Sequence, residues 1–126
     1  MLEALTIIIS YLLGSFPTAY IAGKLTRGVD IRRIGRGNMG ALNTIREIGL
    51  ATGLLVLLID VAKGAGAVLI ARALGVSPIW IYLAGFMAVV GHCWPVFLKF
   101  RGGKGAATTM GVYLALAPPA FACCIP

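Results

Sequence analysis

The apolar residues of this chain are grouped in four long segments separated by polar connections. Three segments run from Leu2 to Gly23, from Leu50 to Ile70 and from Val76 to Leu98, and a fourth runs from near Gly105 to Pro126. At about 1.5 Å per helical residue, a segment of about 22 residues crosses a hydrocarbon core of about 30 Å. The pattern predicts an all-α integral membrane protein with about four transmembrane helical segments, three complete and the fourth cut short. We expect residues 1–126 to form a single polytopic membrane domain.

The composition supports a membrane protein over a small soluble one. Hydrophobic residues make up 60% of the chain and charged residues 12%, whereas soluble domains carry about 25% charged residues. A cleaved signal peptide is the alternative for the first segment. It fits poorly because the first six residues hold Glu3 and no Lys or Arg, whereas the cations follow the segment.

The net charge of +7 is concentrated in two connections. Loop one, residues 24–49, and loop three, residues 99–105, together carry these cations: Lys24, Arg27, Arg32, Arg33, Arg36, Arg46, Lys99, Arg101 and Lys104. Both loops lie on the same side of a chain that crosses the membrane at each segment. The positive-inside rule then predicts that both are cytoplasmic and that the N-terminus is outside. This distribution indicates a membrane protein and no nucleic-acid partner.

Loop one contains a glycine-rich sequence from Gly35 to Gly40 that spells G-x-G-x-x-G. The context of a dinucleotide-binding fold is missing, because no strand pattern precedes it. Glycines still allow backbone N–H groups to converge on an anion, and Arg32, Arg33 and Arg36 add positive charge. We therefore predict that loop one holds a phosphate group.

Loop three repeats this combination in the sequence from Gly102 to Gly105, which is followed by Thr108. It is not a Walker P-loop, because glycine follows its lysine in place of Ser or Thr. Unpaired amides at the start of the fourth segment would attract phosphate. The alternative for both loops is a solvated basic flank that contacts anionic lipid. The glycines, together with Asn38 and Asn43, favour phosphate binding, since a flank needs none of them.

Three ionisable residues lie well inside the second and third apolar segments or close to their cytoplasmic end. Asp60 and Lys63 are three positions apart and so share a helical face, where their charges neutralise each other. They form either a buried pair facing the bundle or a site in which Lys63 reaches a ligand and Asp60 orients it. His92 is either a packing residue or a catalyst near loop three. No Ser-His-Asp or Cys-His set is recognisable.

The prolines predict local helix irregularities, and the cysteines add no further site. Pro17 removes one helical hydrogen bond and predicts an irregularity in the first segment, and Pro118-Pro119 interrupt the fourth. The cysteines lie in apolar segments without metal-ligand spacing, so we interpret them as small packing residues and expect no metal site: Cys93, Cys123 and Cys124.

Several motifs, taken in order, resemble the bacterial acyl-phosphate:glycerol-3-phosphate acyltransferases. They are Gly14-Ser15 with Pro17, Asp30-Ile31-Arg32, Gly35-x-Gly37-Asn38-x-Gly40-Ala41-x-Asn43-x-x-Arg46, Asp60-x-x-Lys63-Gly64, Gly91-His92-x-x-Pro95-Val96-Phe97, and Phe100-x-Gly102-Gly103-Lys104-Gly105-x-Ala107-Thr108. The resemblance covers essentially the whole chain.

The resemblance implies a small enzyme of phospholipid synthesis in the bacterial inner membrane. Such an enzyme moves a fatty acyl group from acyl phosphate to glycerol 3-phosphate and yields lysophosphatidic acid and phosphate, without a cofactor. His92 and Lys104 would be catalytic, with His92 orienting or deprotonating the attacking hydroxyl. The residues expected to bind substrate phosphate are Ser15, Arg32, Gly37, Asn38, Gly40, Asn43, Arg46, Lys63, Gly102, Gly103, Gly105 and Thr108.

The chain departs from the family pattern at two positions and in its length. Arg36 stands where the family usually has Ser, and Leu42 where it has Thr. Family members are longer, and their third motif, which contains Asn, His, Arg and Glu, has no match here, so we expect a C-terminally truncated polypeptide. The alternatives to an enzyme are a non-catalytic membrane fragment that binds phosphorylated lipids or metabolites, and a channel or transporter subunit.

Overall fold

The computed structural model describes residues 1–116. They form six α-helices, and two of the connections between them contain a short 3₁₀ turn, Ile31–Arg33 and Val96–Leu98. The α-helices are α1 (Leu2–Ser15), α2 (Thr18–Arg27), α3 (Ala41–Glu47), α4 (Leu50–Ala73), α5 (Pro78–Cys93) and α6 (Ala106–Leu116). The predictions for Pro118-Pro119, for Cys123 and Cys124 and for the rest of the fourth segment lie outside the described residues.

Three helical stretches of the described chain are long and apolar enough to cross a membrane: Leu2–Arg27, Leu50–Ala73 and Pro78–Leu98. The shorter helix α6 is also apolar. The expected arrangement of three complete segments and a shorter fourth one is therefore confirmed. Leucines face outward on these helices, and Leu58 of α4 is 66% exposed, as a surface in contact with lipid tails allows.

Pro17 divides the first membrane-crossing stretch into α1 and α2, which confirms the predicted irregularity. Proline has no N–H to donate, and Phe16 before it takes an extended ψ of 118°. The Thr18 amide donates to the Phe16 carbonyl and no longer to Gly14. The Gly14 carbonyl is left without a helical donor, and Lys63 of α4 supplies one at 3.1 Å.

Glycines allow the long helices to approach each other closely. A Cβ at Gly14 of α1 would collide with the backbone carbonyl of Ala88 in α5. A Cβ at Gly111 of α6 would collide with the carbonyl of Val61 in α4. Small residues at such crossings let the backbones touch. The van der Waals packing that results holds helices together in lipid, where no hydrophobic driving force acts between them.

Loop one and loop three meet at one end of the helix bundle. The Arg32 guanidinium donates from Nη1 to the Leu98 carbonyl at 3.2 Å. Gly103 of loop three lies so close to the Met39 carbonyl that a Cβ there would stand 2.8 Å from its oxygen. The helix packing thus brings the two basic, glycine-rich loops into direct contact.

Candidate active site

A cavity of about 290 Å³ lies where loops one and three meet helices α3, α4 and α6. We call it the first cavity. Seven of the fourteen predicted site residues line it: Asn38, Gly40, Asn43, Arg46, His92, Lys104 and Gly105. The residues that line it without having been predicted as site residues are Arg36, Ala41, Leu42, Leu57, Asp60, Ala106, Ala107 and Met110.

The polar part of the first cavity is positively charged. Arg36, Arg46 and Lys104 line it together with one acid, Asp60. Within residues 1–116, none of the three cations has a carboxylate at ion-pair distance, and Asp60 is paired with Lys63 at 3.0 Å. Three cations without an acidic partner beside one neutralised acid make a site for an anion.

The side chain of Asn43 holds loop one in shape. Its Nδ2 group donates to the carbonyls of Ile31, Ile34 and Asn38 at 3.3, 3.3 and 2.9 Å, and its Oδ1 accepts from the Arg36 amide at 3.1 Å. All its hydrogen-bonding atoms are thus engaged within the loop. Asn43 was predicted to bind substrate. The structure shows that it shapes the cavity wall through backbone contacts.

Lys63, Asp60 and His92 form a buried cluster, of which Asp60 and His92 line the first cavity. The Lys63 ammonium lies 3.0 Å from Oδ1 of Asp60 and 3.1 Å from Nδ1 of His92, and it also donates to the Gly14 and Phe16 carbonyls. Its three N–H groups are taken up by these two carbonyls and by His92, so Asp60 contributes mainly its charge. The predicted pairing of Asp60 and Lys63 is present, and it is buried.

The glycines of loop three use their amides within the protein. The Gly102 amide donates to the Cys93 carbonyl and the Gly103 amide to the His92 carbonyl, both at 3.1 Å. These two N–H groups are therefore not available to an anion. The first turn of α6 has unpaired N–H groups by helix geometry, and its Ala106 and Ala107 line the first cavity next to Lys104. The amides of this region that remain available to an anion are those of the helix start.

Arg32 does not line the first cavity but a second pocket, which it shares with Tyr20 and Arg101. Its guanidinium is paired with Asp30 at 2.9 Å and lies 5.2 Å from the ring centre of Tyr20. The hydrogen bonds with Arg32 hold the pKa of the Asp30 carboxyl below its usual value, and the same pair raises the pKa of Arg32. Arg32 thus joins the two loops, since it also donates to Leu98.

The other predicted residues outside the first cavity have packing positions. The Ser15 and Thr108 hydroxyls are fully buried and have no hydrogen-bond partner among residues 1–116. Gly37 takes a left-handed φ of 69° against the Arg32 carbonyl, where a side chain would be strained. Lys63 and Gly103 reach the first cavity only through His92, which both of them contact.

Comparisons with known proteins identify the family. The family model described as glycerol-3-phosphate acyltransferase matches residues 4–126. This chain belongs to that family. The "Glycerol-3-phosphate acyltransferase 2" of Moorella thermoacetica is 53% identical over 117 residues, covering 93% of this chain and 60% of the relative. The glycerol-3-phosphate acyltransferase of Rubrobacter xylanophilus is 52% identical over 120 residues, covering 94% and 59%.

Solved structures of a member of this acyltransferase family confirm the fold. The crystal structure of PlsY, an integral membrane glycerol 3-phosphate acyltransferase, in its glycerol 3-phosphate form has a TM-score of 0.90 at 39% identity. It covers 97% of this chain, which spans 61% of the solved chain. The lysophosphatidic acid form gives a TM-score of 0.86 at 38% identity. The chain spans about 60% of the length of these relatives and shares their integral-membrane helical fold.

The two residues at which the chain departs from the acyltransferase family pattern, Arg36 and Leu42, both line the first cavity. Arg36 adds a third cation to the wall, and Leu42, which is 60% exposed, adds an apolar side chain. Asp60 was predicted to orient Lys63 or to be its buried partner, and it lines the cavity itself. The signal that marks it was an acid inside a membrane segment, three positions from a lysine.

Proposed function

We propose that this chain takes part in the transfer of a fatty acyl group from acyl phosphate to the sn-1 hydroxyl of glycerol 3-phosphate. The products are lysophosphatidic acid and phosphate, and the reaction is a step of phospholipid biosynthesis. The observation that carries the proposal is the composition of the first cavity, in which three cations stand beside an apolar wall of Leu42, Leu57 and Met110. Membership of the family, and relatives crystallised in glycerol 3-phosphate and lysophosphatidic acid forms, support the same reaction.

The charges of the first cavity suit two phosphate-bearing substrates. Both substrates are anions, and their mutual repulsion opposes the close approach that the reaction needs. Arg36 and Arg46 of one loop and Lys104 of the other provide cations on two sides of the same space. We assign the glycerol 3-phosphate to the side of Arg46 and Asn38, and the acyl phosphate to Lys104 and the start of α6.

The proposed reaction is a direct acyl transfer. The sn-1 hydroxyl oxygen attacks the carbonyl carbon of the acyl phosphate and forms a tetrahedral oxyanion. When this collapses, the bond between the carbonyl carbon and the phosphate oxygen breaks, and the leaving phosphate takes up the hydroxyl proton. Lys104 and the amides of α6 stabilise the oxyanion and the leaving phosphate. His92, whose Nδ1 is engaged by Lys63, orients the reacting groups through Nε2.

We further propose that the loops face the cytoplasm of a bacterial cell whose inner membrane holds the chain, with the N-terminus outside. The acyl tail would stay in lipid along the apolar wall of the cavity while both phosphates stay in water. The charge distribution supports this orientation. Labelling of single cysteines placed at Arg33 and Lys104 should report the same compartment for both. Labelling from opposite sides would contradict a shared site.

A turnover assay tests the proposed reaction. Membranes that contain the chain are given acyl phosphate and glycerol 3-phosphate, and the release of phosphate and lysophosphatidate is measured. An acyl thioester offered in place of acyl phosphate should give no product. Retention of either substrate without turnover would instead support a binding protein.

Lys104→Ala is the most direct variant for this assay. It removes a cation that faces the first cavity, and we expect a loss of turnover of at least about 100-fold, as for an oxyanion-hole donor. Lys24→Ala is the matched control, because Lys24 is an exposed lysine at the end of α2 that lines no part of the first cavity. Unchanged turnover in Lys104→Ala would contradict the proposed role.

A further inference from the structure

A second pocket lies between residues of loops one and three and the start of α2, with Tyr20 and Phe97 in its lining. We call it the basic pocket, and it is lined by Tyr20, Arg32, Arg33, Phe97, Leu98, Lys99 and Arg101. It shares no residue with the first cavity. Four of its seven residues are cations, and the acid that pairs with them among residues 1–116 is Asp30, which contacts Arg32 and Arg33. The basic pocket therefore keeps an excess of positive charge.

The basic pocket presents its cations in two ways. Arg32 is held firmly, with a side-chain exposure of 17%, by Asp30, Leu98 and the ring of Tyr20. Arg33, in contrast, has 86% of its side chain exposed and lies only at the outer limit of ion-pair distance, 4.0 Å, from Asp30. Arg32 thus offers a cation in a fixed position, and Arg33 offers one that is solvated. Together they suit an anionic group that arrives from outside the protein.

An apolar groove begins where the basic pocket ends. It is lined by Ile9, Leu12, Leu13, Phe16, Pro17 and Phe97. Phe97 belongs to both the groove and the basic pocket and is 61% exposed. The groove follows α1, a membrane-crossing helix, up to the break at Pro17, and Tyr20 of the basic pocket follows on α2. Apolar and basic surfaces are thus joined in one continuous site.

We propose that this continuous site binds an anionic phospholipid of the surrounding bilayer. The headgroup phosphate lies in the basic pocket, and one acyl chain lies in the apolar groove along α1. Charge complementarity selects an anionic over a zwitterionic lipid, since cations at a membrane surface attract anionic lipids. The groove selects a lipid over a soluble phosphate, because burial of a chain in it removes apolar surface from water. This site is separate from the proposed acyl transfer and does not depend on it.

Lipid binding to the full chain in an uncharged detergent tests the proposal, with phosphatidylglycerol and phosphatidylcholine as the probes and native mass spectrometry as the readout. We expect phosphatidylglycerol to bind at least tenfold more tightly than phosphatidylcholine. The double variant Arg33→Gln/Arg101→Gln should weaken phosphatidylglycerol binding about 30-fold, at about 1 kcal/mol per cation. The matched control Arg27→Gln/Arg72→Gln lowers the net charge equally but lies outside the basic pocket, and it should change binding less than threefold.

The apolar half of the site has its own test. Phe97→Ser should weaken the binding of phosphatidylglycerol and leave the binding of its water-soluble headgroup, glycerophosphoglycerol, unchanged. Equal affinity of the wild-type chain for the lipid and for this headgroup would overturn the proposal, because the groove would then contribute nothing. Equal weakening by the two double variants would also overturn it, because general electrostatic attraction would explain the binding.

Discussion

Nζ of Lys63 lies 3.1 Å from Nδ1 of His92, and this contact favours one tautomer of the imidazole. An ammonium group only donates hydrogen bonds, so a charged Lys63 requires Nδ1 to accept and predicts that the hydrogen is on Nε2. Nε2 is the ring atom that faces Gly103 of loop three. With its hydrogen on Nε2, His92 would donate a hydrogen bond to a ligand. A phosphate oxygen or an oxyanion accepts such a bond, whereas removal of a proton from a hydroxyl would need a free acceptor nitrogen.

The first prediction concerns this tautomer. His92 is the single histidine of the chain, so its ring nitrogens are assigned without ambiguity in a ¹⁵N-histidine-labelled sample. We expect NMR at neutral pH to show hydrogen on Nε2 and none on Nδ1. Lys63→Met removes the donor to Nδ1 and should abolish this preference, whereas Lys24→Met, at an exposed position of α2, should keep it. Hydrogen on Nδ1 in the wild-type chain would contradict the assignment.

The second prediction concerns the stability of the same cluster. Lys63→Met leaves the carboxylate of Asp60, which is 1% exposed, without its cation. Removing one partner of a buried ion pair costs about 3–5 kcal/mol, and we expect a loss of that order in the free energy of unfolding measured in detergent. The double variant Asp60→Asn/Lys63→Met removes both charges and should recover most of the loss. No recovery would mean that the packing of Lys63 and its hydrogen bonds to the Gly14 and Phe16 carbonyls matter more than its charge pair with Asp60.

The third prediction tests Asn43 as the residue that holds loop one. Asn43→Ala leaves the carbonyls of Ile31, Ile34 and Asn38 without their side-chain donor, so the loop should open more often. Trypsin cleavage after the loop arginines should then accelerate about tenfold or more. Leu42→Ala changes the exposed neighbour of Asn43 and serves as the control. Equal cleavage rates in the two variants would show that Asn43 does not restrain the loop.

The sequence was sufficient to predict the helical segments and the family. Segment length and hydropathy set the membrane-crossing helices, because a lipid environment leaves the backbone few alternatives. The pairing of Asp60 with Lys63 followed from their spacing on one helix. The contact of this pair with His92 did not, since it depends on how α4 packs against α5.

The contacts of the loop residues could not be predicted from the sequence either. Glycine-rich loops have no periodicity from which contacts can be derived. Arg32 and Asn43 stay predicted phosphate ligands, and the structure adds that Arg32 donates to the Leu98 carbonyl and that Asn43 bonds to the loop backbone. The amides of Gly102 and Gly103, also expected to bind phosphate, are taken by the end of α5. Only the three-dimensional arrangement shows which polar groups remain available.

The last prediction concerns the glycine contacts that bring the helices together. Gly111→Ala places a Cβ against the Val61 carbonyl, where no space exists. Gly66→Ala places one 3.4 Å from Cδ2 of Leu13, an ordinary contact. Both changes gain about 1 kcal/mol of helix propensity, but Gly111→Ala also forces α4 and α6 apart, at about 1–3 kcal/mol for overpacking. Thermal unfolding in detergent should therefore show Gly66→Ala unchanged or stabilised and Gly111→Ala destabilised. A shift of the unfolding temperature in the same direction for both variants would mean that α4 and α6 can move apart without loss of stability.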